Sequence, residues 1–451
     1  MTASTTNPPD ILDRLQSVIA RATKKGADAA DAIMVRATSV SVTQRLGNPE
    51  DLNRAEGADI GLRVFIGRRQ AVVSSSDTSD SALEDLAERA VAMARHVPED
   101  AFCGLADPDL LARDIPDLDD FDAGEPAAET LMERAAAAED AARAVAGVTN
   151  SEGAEAGWGG SEIALATSTG FAQARRSSRH SVSVSVLAGS GTAMERDYDY
   201  ASTVYGADLP DAAAIGRSAG EKAVRRLNPR KVPTAQVPVI YDPRVANSIL
   251  GHLAGAINGA SVARGTTFLK DAMDKVIFPE AVTIVDDPHR RRGLRSKPFD
   301  GEGVATRRLN LVENGRLTTW VLDCRSARQL KLATTGHATR GTGGPPSPGT
   351  SNLYMAPGTV SAKDLIAGVK DGLYITELIG MGVNGVTGDY SRGCSGFWIR
   401  DGALTFPVSE LTVAGNLKDM FRNITAADDL EFRYGTNAPT LRVDGMTVAG
   451  T

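Results

Sequence analysis

The sequence predicts an α+β protein: a small N-terminal α+β domain over residues 1–102, a middle α+β region over 103–230 and a large β-rich C-terminal domain with interrupting helices over 231–451. Three observations predict it. The first hundred residues read as a helix, a small set of strands and a second helix, a pattern that buries one sheet face under helices. The middle segment opens with an Asp-, Pro- and Gly-rich stretch and then mixes helical and strand-like runs. Beyond residue 230 the pattern turns strongly to strands and turns.

Residues 9–25, PDILDRLQSVIARATKK, set Ile11, Leu12, Leu15, Val18, Ile19 and Ala22 on one helical stripe, with Gly26 as its stop. DAIMVRATSVSVTQR and DIGLRVFIGRRQAVVSSS alternate in part and are rich in β-branched residues, which predicts antiparallel strands. Ser81 and Glu84 have the spacing of a capping box ahead of the amphipathic run LEDLAERAVAMARHV. Residues 103–125 read as a linker passing over the surface. A helix follows over 127–145, then strands at SEIALATSTG and HSVSVSVLAG, then a helix near 211–227 that Pro229 stops. In the last segment VPVIY, AVTIVDD, RRLNLVENGRLTTWVLD, NLYMAPG, GFWIRDGALTFPV and APTLRVDGMTV are candidate strands. ENG and RDG suit hairpin turns, since Asn, Asp and Gly tolerate positive φ. Helices are expected near 244–257 and 361–369, the second capped by Ser361 with Asp364 as its partner.

Apolar residues make up 42% of the chain and charged residues 24%, the balance of a globular protein. Its 45 glycines keep no fixed period, which points to turns and not to a low-complexity polymer. The formal net charge of −8 argues against a nucleic-acid partner, which calls for a basic face. Cys103, Cys324 and Cys394 are far apart and odd in number, so no disulfide framework follows and a reducing, cytoplasmic setting is expected. The opening MTASTTNPPDILDRLQ lacks the basic flank and apolar core of a signal peptide, and no run reaches the length of a membrane span.

A helical zinc-hydrolase site needs a second ligand one turn from the first and a carboxylate base beside it. In SILGHLAGAING, His252 is followed by Leu253, and Ala256 and Ile257 stand one turn on, so it reads as a structural or pocket-lining histidine rather than a catalytic one. His289 in DDPHRRRG lies beside Asp286 and Asp287; a turn offsetting Arg290, Arg291 and Arg292 is the plainer reading, an oxygen–nitrogen metal cluster the other. His337 sits in the long Gly/Pro-rich loop TTGHATRGTGGPPSPGT, either a binding lid or an inert excursion. His96 and His180 have no accompanying ligand set. Cys394 in GDYSRGCSGFW stands two residues after Arg392, whose charge would favour a thiolate; a small residue in a tight turn is the alternative. Cys324 falls in a predicted strand, WVLDCRS. Neither GTGG nor GMGVNGVTG has the P-loop endpoint or the strand-to-helix setting of a dinucleotide loop, and both read as bends lining a groove.

The stretches VPVIYDPRVANSILGHLAGAINGASVARGTTFL, GVNGVTGDYSRGCSGFWIRDGALTFPVSELTVAGNLKDMF and APTLRVDGMTVAG closely resemble the TldD/PmbA family, and within it the PmbA branch, also called TldE. The likeness covers nearly the whole chain and is most specific from Gly388 to Phe421. It implies cytoplasmic processing or degradation of small or unfolded peptides by a zinc metalloprotease of two related subunits. The TldD-type subunit carries HExxxH on a helix and supplies the zinc; the PmbA-type subunit pairs with it and helps enclose the peptide cavity. The family also carries the label modulator of DNA gyrase and is linked to peptide maturation and toxin–antitoxin turnover.

This chain departs from the catalytic branch. If Leu253 takes the glutamate place of that motif, Ile257 takes the second histidine place; if the final glycines are superposed, Leu250, Gly251 and Gly255 fall at the motif positions. No catalytic and no metal residue is therefore carried over, no cofactor is expected in this chain, and zinc is expected in a TldD-type partner. Small residues at Ala254, Gly255, Ala256, Gly259 and Ala260 permit close approach, either by an extended peptide or by the helix's own sheet. His252, Gly255, Asn258 and Cys394 are the candidate cavity residues. The expected assembly is a heterodimer, with a homodimer open to the chain when it is made alone. Two alternatives stand: a self-contained metallopeptidase with a non-standard site drawn from His252, His289, His337 or Cys394, and a regulatory binding protein of the gyrase-modulator type.

Overall fold

The computed structural model describes residues 8–450. Residues 1–7 and 451, and with them the start of the stretch read for a signal peptide, lie outside the described residues. Helix α1 (Pro8–Lys24) is followed by strands β1 (Ala29–Arg45), β2 (Asn48–Ile66) and β3 (Arg69–Ser75) and by α2 (Asp80–His96). The same order then recurs: α3 (Ala128–Arg143), β4 (Val148–Thr167), β5 (Ala172–Ala188), β6 (Glu195–Thr203) and α4 (Ala212–Arg225). The strands of both units form one antiparallel sheet, β3-β2-β1-β4-β5-β6, with β1 and β4 paired at its centre. The segments on either side of residue 103 thus share a sheet.

Period two decides what each face does. Ala30, Ala32 and Met34 of β1 are buried with the α1 stripe (Ile11, Leu15, Val18, Ile19, Ala22) and with Leu83 and Leu86 of α2. Val40 and Val42 meet Leu131 and Ala135 of α3 in the same way. Ile33 points to the opposite face, where it packs with Leu165, Phe171 and Phe299. Helix α2 begins earlier than the capping-box reading placed it: Ser79, not Ser81, is the cap, accepting from Ala82 N at 3.3 Å. Ala82 has no side-chain acceptor to complete a box, and Glu84 instead reaches Lys25 at 2.7 Å. Residues 103–125 do run irregularly over the surface, yet they act as a strap. Ala112 N donates to Gly303 O at 2.9 Å, Leu118 is buried, and Asp119 pairs with Arg292 at 2.7 Å.

The second half opens with β7 (Ala235–Tyr241), α5 (Pro243–Ala256) and α6 (Gly259–Ala263), then β8 (Ile284–Asp286), β9 (Leu309–Glu313), β10 (Arg316–Leu317) and α7 (Cys324–Leu330). Short strands β11 (Ala338–Thr339), β12 (Ser347–Pro348) and β13 (Leu353–Met355) precede α8 (Ala362–Ala367), β14 (Asp371–Ile379), β15 (Asp389–Arg400) and β16 (Ala403–Asn416). The chain ends through α9 (Leu417–Arg422), β17 (Ile424–Ala426), β18 (Thr436–Asn437) and β19 (Leu441–Ala449). Strands β16-β15-β14-β7-β19 close on themselves through the β16–β19 pairing. A smaller sheet, β10-β9-β8-β13-β18, shares its apolar core with the closed one.

This is the predicted α+β architecture with a β-rich C-terminal half and interspersed helices. The ENG and RDG turns form as expected, with positive φ at Asn314 and Gly315 and at Asp401 and Gly402. WVLDCRS, read as a strand, is not one. Asp323 accepts from Ser326 N at 2.8 Å and caps α7, which makes Cys324 the first residue of a helix. Among the described residues no helix is long and apolar enough to cross a membrane.

The halves are locked by buried charge. Asp31 of β1 receives Arg63 Nε at 3.0 Å and Arg340 Nη1 at 2.5 Å, and Glu302 lies 3.9 Å from Arg63 while accepting from Cys324 N at 2.8 Å. Burial, only partly offset by Arg63, lifts the Glu302 carboxyl from its ordinary 4.5 to about 7. The unfolded chain therefore releases this proton before the folded one, so Glu302 removes stability as the pH rises from 4.5 through about 7. Glu302→Gln, which does not titrate and keeps an acceptor for Cys324 N, is expected to gain on the parent across that window. Denaturant midpoints at pH 5 and pH 8 check it; parallel pH profiles would refute it.

Candidate functional site

Helix α5 carries SILGHLAGAING. Asp242 caps it by accepting from Arg244 N at 3.0 Å, and Pro243 occupies the first turn, where no N–H is needed. Ala246, Ile249, Leu250, Leu253 and Ala256 recur at helical spacing and are buried in the core of the C-terminal half. The other edge is open: a Cβ on Gly251 or Gly255 would meet nothing within 4 Å. Two cavities border that edge, and Gly255 belongs to the wall of both.

The larger, of about 860 Å³, lies between α5 and the N-terminal sheet. Ala254, Gly255 and Asn258 form one wall. The opposite wall is built from cross-strand rows, Ala37–Ser161–Ser177 and Ser39–Gly159–Arg179, on one face of β1, β4 and β5. Residues 293–297, Val321 and, from the long loop, Thr339, Gly349 and Thr350 complete it. That loop is firmly held. A Cβ on Gly61 would stand 2.1 Å from Thr342 O, so GTGG lies directly on β2, and Asn258 Nδ2 donates to Pro348 O at 2.9 Å. Asn258 also caps α6 by accepting from Ala260 N at 3.0 Å.

The smaller cavity, of about 300 Å³, holds His252 with Gly251, Phe268, Arg392 and Leu417, and is edged by Met381, Val383 and Gly385 of GMGVNGVTG. This glycine run does bend along a groove, and Met381 at its tip is 89% exposed. The His252 ring stands edge-on to Tyr390 at 5.8 Å, with Nε2 buried and unpartnered. Burial, and then the Arg392 charge, pull its pKa below the ordinary 6.5. Zinc does not fit here. The cavity wall supplies no carboxylate, thiol or second imidazole, and a guanidinium is the nearest charge.

The other candidates lie apart. His337 is buried, with Nε2 3.1 Å from Asp286 Oδ2 and Nδ1 2.9 Å from Thr335 O, so it anchors its loop. His289 Nε2 meets Thr306 Oγ1 at 2.9 Å beside the 103–125 strap. His180 Nε2 lies 3.0 Å from Asp122 Oδ2, and His96 ends α2. Cys394 is 2% exposed, lines neither cavity, and burial pushes its thiol up to about 12, opposite to the activation that Arg392 suggested. The structure thus places His252 on the small cavity, Asn258 on the large one and Gly255 on both, and leaves Cys394 in the core. Among the described residues no group of three or more His, Cys, Asp or Glu is placed to hold a metal ion.

The polar wall on β4 and β5 was not singled out from sequence. Its signal was the period-two run of Arg175, Ser177 and Arg179 ahead of the alternating HSVSVSV, all three now on the large cavity.

Known proteins match along the whole length. Family descriptions fit in order: PmbA/TldA metallopeptidase domain 1 over residues 30–94, central domain over 121–227 and C-terminal domain over 234–450. The chain is 38% identical over 442 residues to the metalloprotease PmbA of Escherichia coli O157:H7, spanning 98% of this chain and 96% of that one. It is 38% identical over 432 residues to a metalloprotease PmbA homolog of Haemophilus influenzae, spanning 95% and 94%. A solved protein from Bacteroides thetaiotaomicron, described as a modulator of DNA gyrase, superposes with a TM-score of 0.90 at 27% identity over 97% and 98% of the two chains. TldE from Thermococcus kodakarensis shares the fold, with a TM-score of 0.87 at 21% identity over 97% and 100%.

Proposed function

The chain belongs to the TldD/PmbA metallopeptidase family, on its PmbA branch, and from that premise we propose that it is the non-metal subunit of a two-subunit, cytoplasmic zinc peptidase. It pairs with a TldD-type chain and supplies part of the cavity for small or unfolded peptides. One observation carries the reading: the helix edge of the large cavity offers glycine and alanine and no metal ligand. Zinc, held by the partner, would supply the activated water. This chain's own residues bind and orient. Gly159 and Gly255 permit close approach of a peptide backbone, and the hydroxyls of Ser39, Ser161 and Ser177 offer donors and acceptors that tolerate many sequences.

Arg290 and Arg292, in the basic cluster that a regulatory partner would use, have internal partners. Arg292 pairs with Asp119 and with Asp208 at 2.9 Å, and Arg290 lies 3.4 Å over the Phe432 ring. The test is to prepare the chain alone and with a TldD-type partner, then measure bound zinc and cleavage of an unstructured peptide. Zinc and chelator-sensitive turnover are expected in the pair. Stoichiometric zinc with chelator-sensitive turnover in the lone chain would overturn the assignment.

A further inference from the structure

The large cavity is positively charged inside a chain whose net charge is −8. Arg175, Arg179, Arg295 and Lys297 stand in its wall, against the single carboxylate Asp120. Among the described residues none of these cations forms an ion pair. Lys297 is the telling one: it is only 9% exposed, and its Nζ donates to Ala338 O at 3.2 Å. Burial pulls its pKa below the ordinary 10.5, and the carboxylates that attract it at longer range, Asp300 and Asp286, are engaged elsewhere. Asp300 accepts from the backbone of Glu302, Val304 and Ala338, and Asp286 from Ser351 and His337. Arg175 donates to Ser296 O at 3.5 Å and is attracted without direct pairing by Asp120, whose Oδ2 is buried without a hydrogen-bond partner.

A buried cation is costly without an anion, and an arriving carboxylate would complete it with a charge-assisted hydrogen bond. We propose that the large cavity recognises a carboxylate of its peptide, the C-terminal α-carboxylate or an Asp or Glu side chain, through Lys297, Arg175 and Arg179. This deepens the peptide-cavity reading and rests on it. Lys297 and Arg175 hold the group from the closed end, and Arg179 meets it from the exposed end of the same strand row.

The test uses three fluorescent, unstructured peptides of one neutral sequence: a free C-terminal acid, its amide, and the amide with one internal Glu. Each is titrated by anisotropy into the full chain and into its complex with a TldD-type partner. At least one carboxylate-bearing peptide is expected to bind about tenfold tighter than the neutral amide, the scale of a charge-assisted hydrogen bond. The two acids identify which source is read. Lys297→Met, which keeps the buried stem, should bring the preference below about twofold on the same scale, and the exposed Arg179→Ala should lower it in part. Equal binding of all three peptides overturns the proposal and leaves the peptide reading intact. Binding of none, alone or in the complex, removes both. The comparison on the parent chain stands whatever the variants do to folding.

Discussion

Replacing Asp31 by alanine is expected to lower the free energy of unfolding by about 3–5 kcal/mol, because it leaves two guanidinium groups buried without their counter-charge. Asp31 is 1% exposed, Arg63 3%, and the Arg340 side chain is enclosed, with its Nε and one Nη already lacking partners. Arg340 therefore depends on Asp31 for compensation. Burial acts to raise the Asp31 carboxyl, but Arg340 and Arg63 outweigh it and hold the group below its ordinary 3.8. Its contribution is then complete above pH 3.8 and fades as the pH falls through the lower folded value. Denaturant midpoints at neutral pH, followed into acid, measure this. The variant should lack the parent's loss in the acid range, and a neutral-pH change below about 1 kcal/mol would contradict the clamp, since that is the scale of an exposed pair.

The consequence reaches past stability. Arg340 belongs to the Gly/Pro-rich loop that lies on β2 and places Thr339, Gly349 and Thr350 in the large cavity. Read from sequence, that loop was open between lid and excursion, because glycine and proline report freedom of the chain and say nothing of what lies beneath it. Its pairing with buried Asp31, more than three hundred residues away in sequence, holds it in place.

The same limit runs through the fold. The α1 stripe, the ENG and RDG turns and the α5 helix are local patterns, and their residues occupy the predicted places. The joining of β1 to β4 is not local: Asp31 pairs with Thr167, and alternation marks a strand's two faces without naming its neighbour. The polar face of β5 became a cavity wall only because α5 and residues 293–297 stand opposite it. Cys324 shows the converse error, a β-rich setting overruled by one Asp–Ser cap.

Gly255→Leu is expected to leave the fold intact and lower peptide turnover of the paired complex by at least about tenfold, or about 1.4 kcal/mol. The small residues of α5 and α6 were open to two uses, and the structure separates them. At Gly255 an added side chain projects into open space, so the exchange should even gain about 0.5–1 kcal/mol of helix stability while filling the wall. At Gly259 a Cβ would stand 2.5 Å from Leu322 Cδ2 and 2.9 Å from Val321 O, so Gly259→Ala should instead cost about 1–3 kcal/mol through overpacking. Gly251→Leu provides the spatial control, because Gly251 borders the small cavity and not the large one. An active Gly251→Leu complex beside an inactive, well-folded Gly255→Leu complex places the peptide between α5 and the sheet. A Gly255→Leu complex that cleaves at the parent rate would instead mean that the peptide does not pass against Gly255.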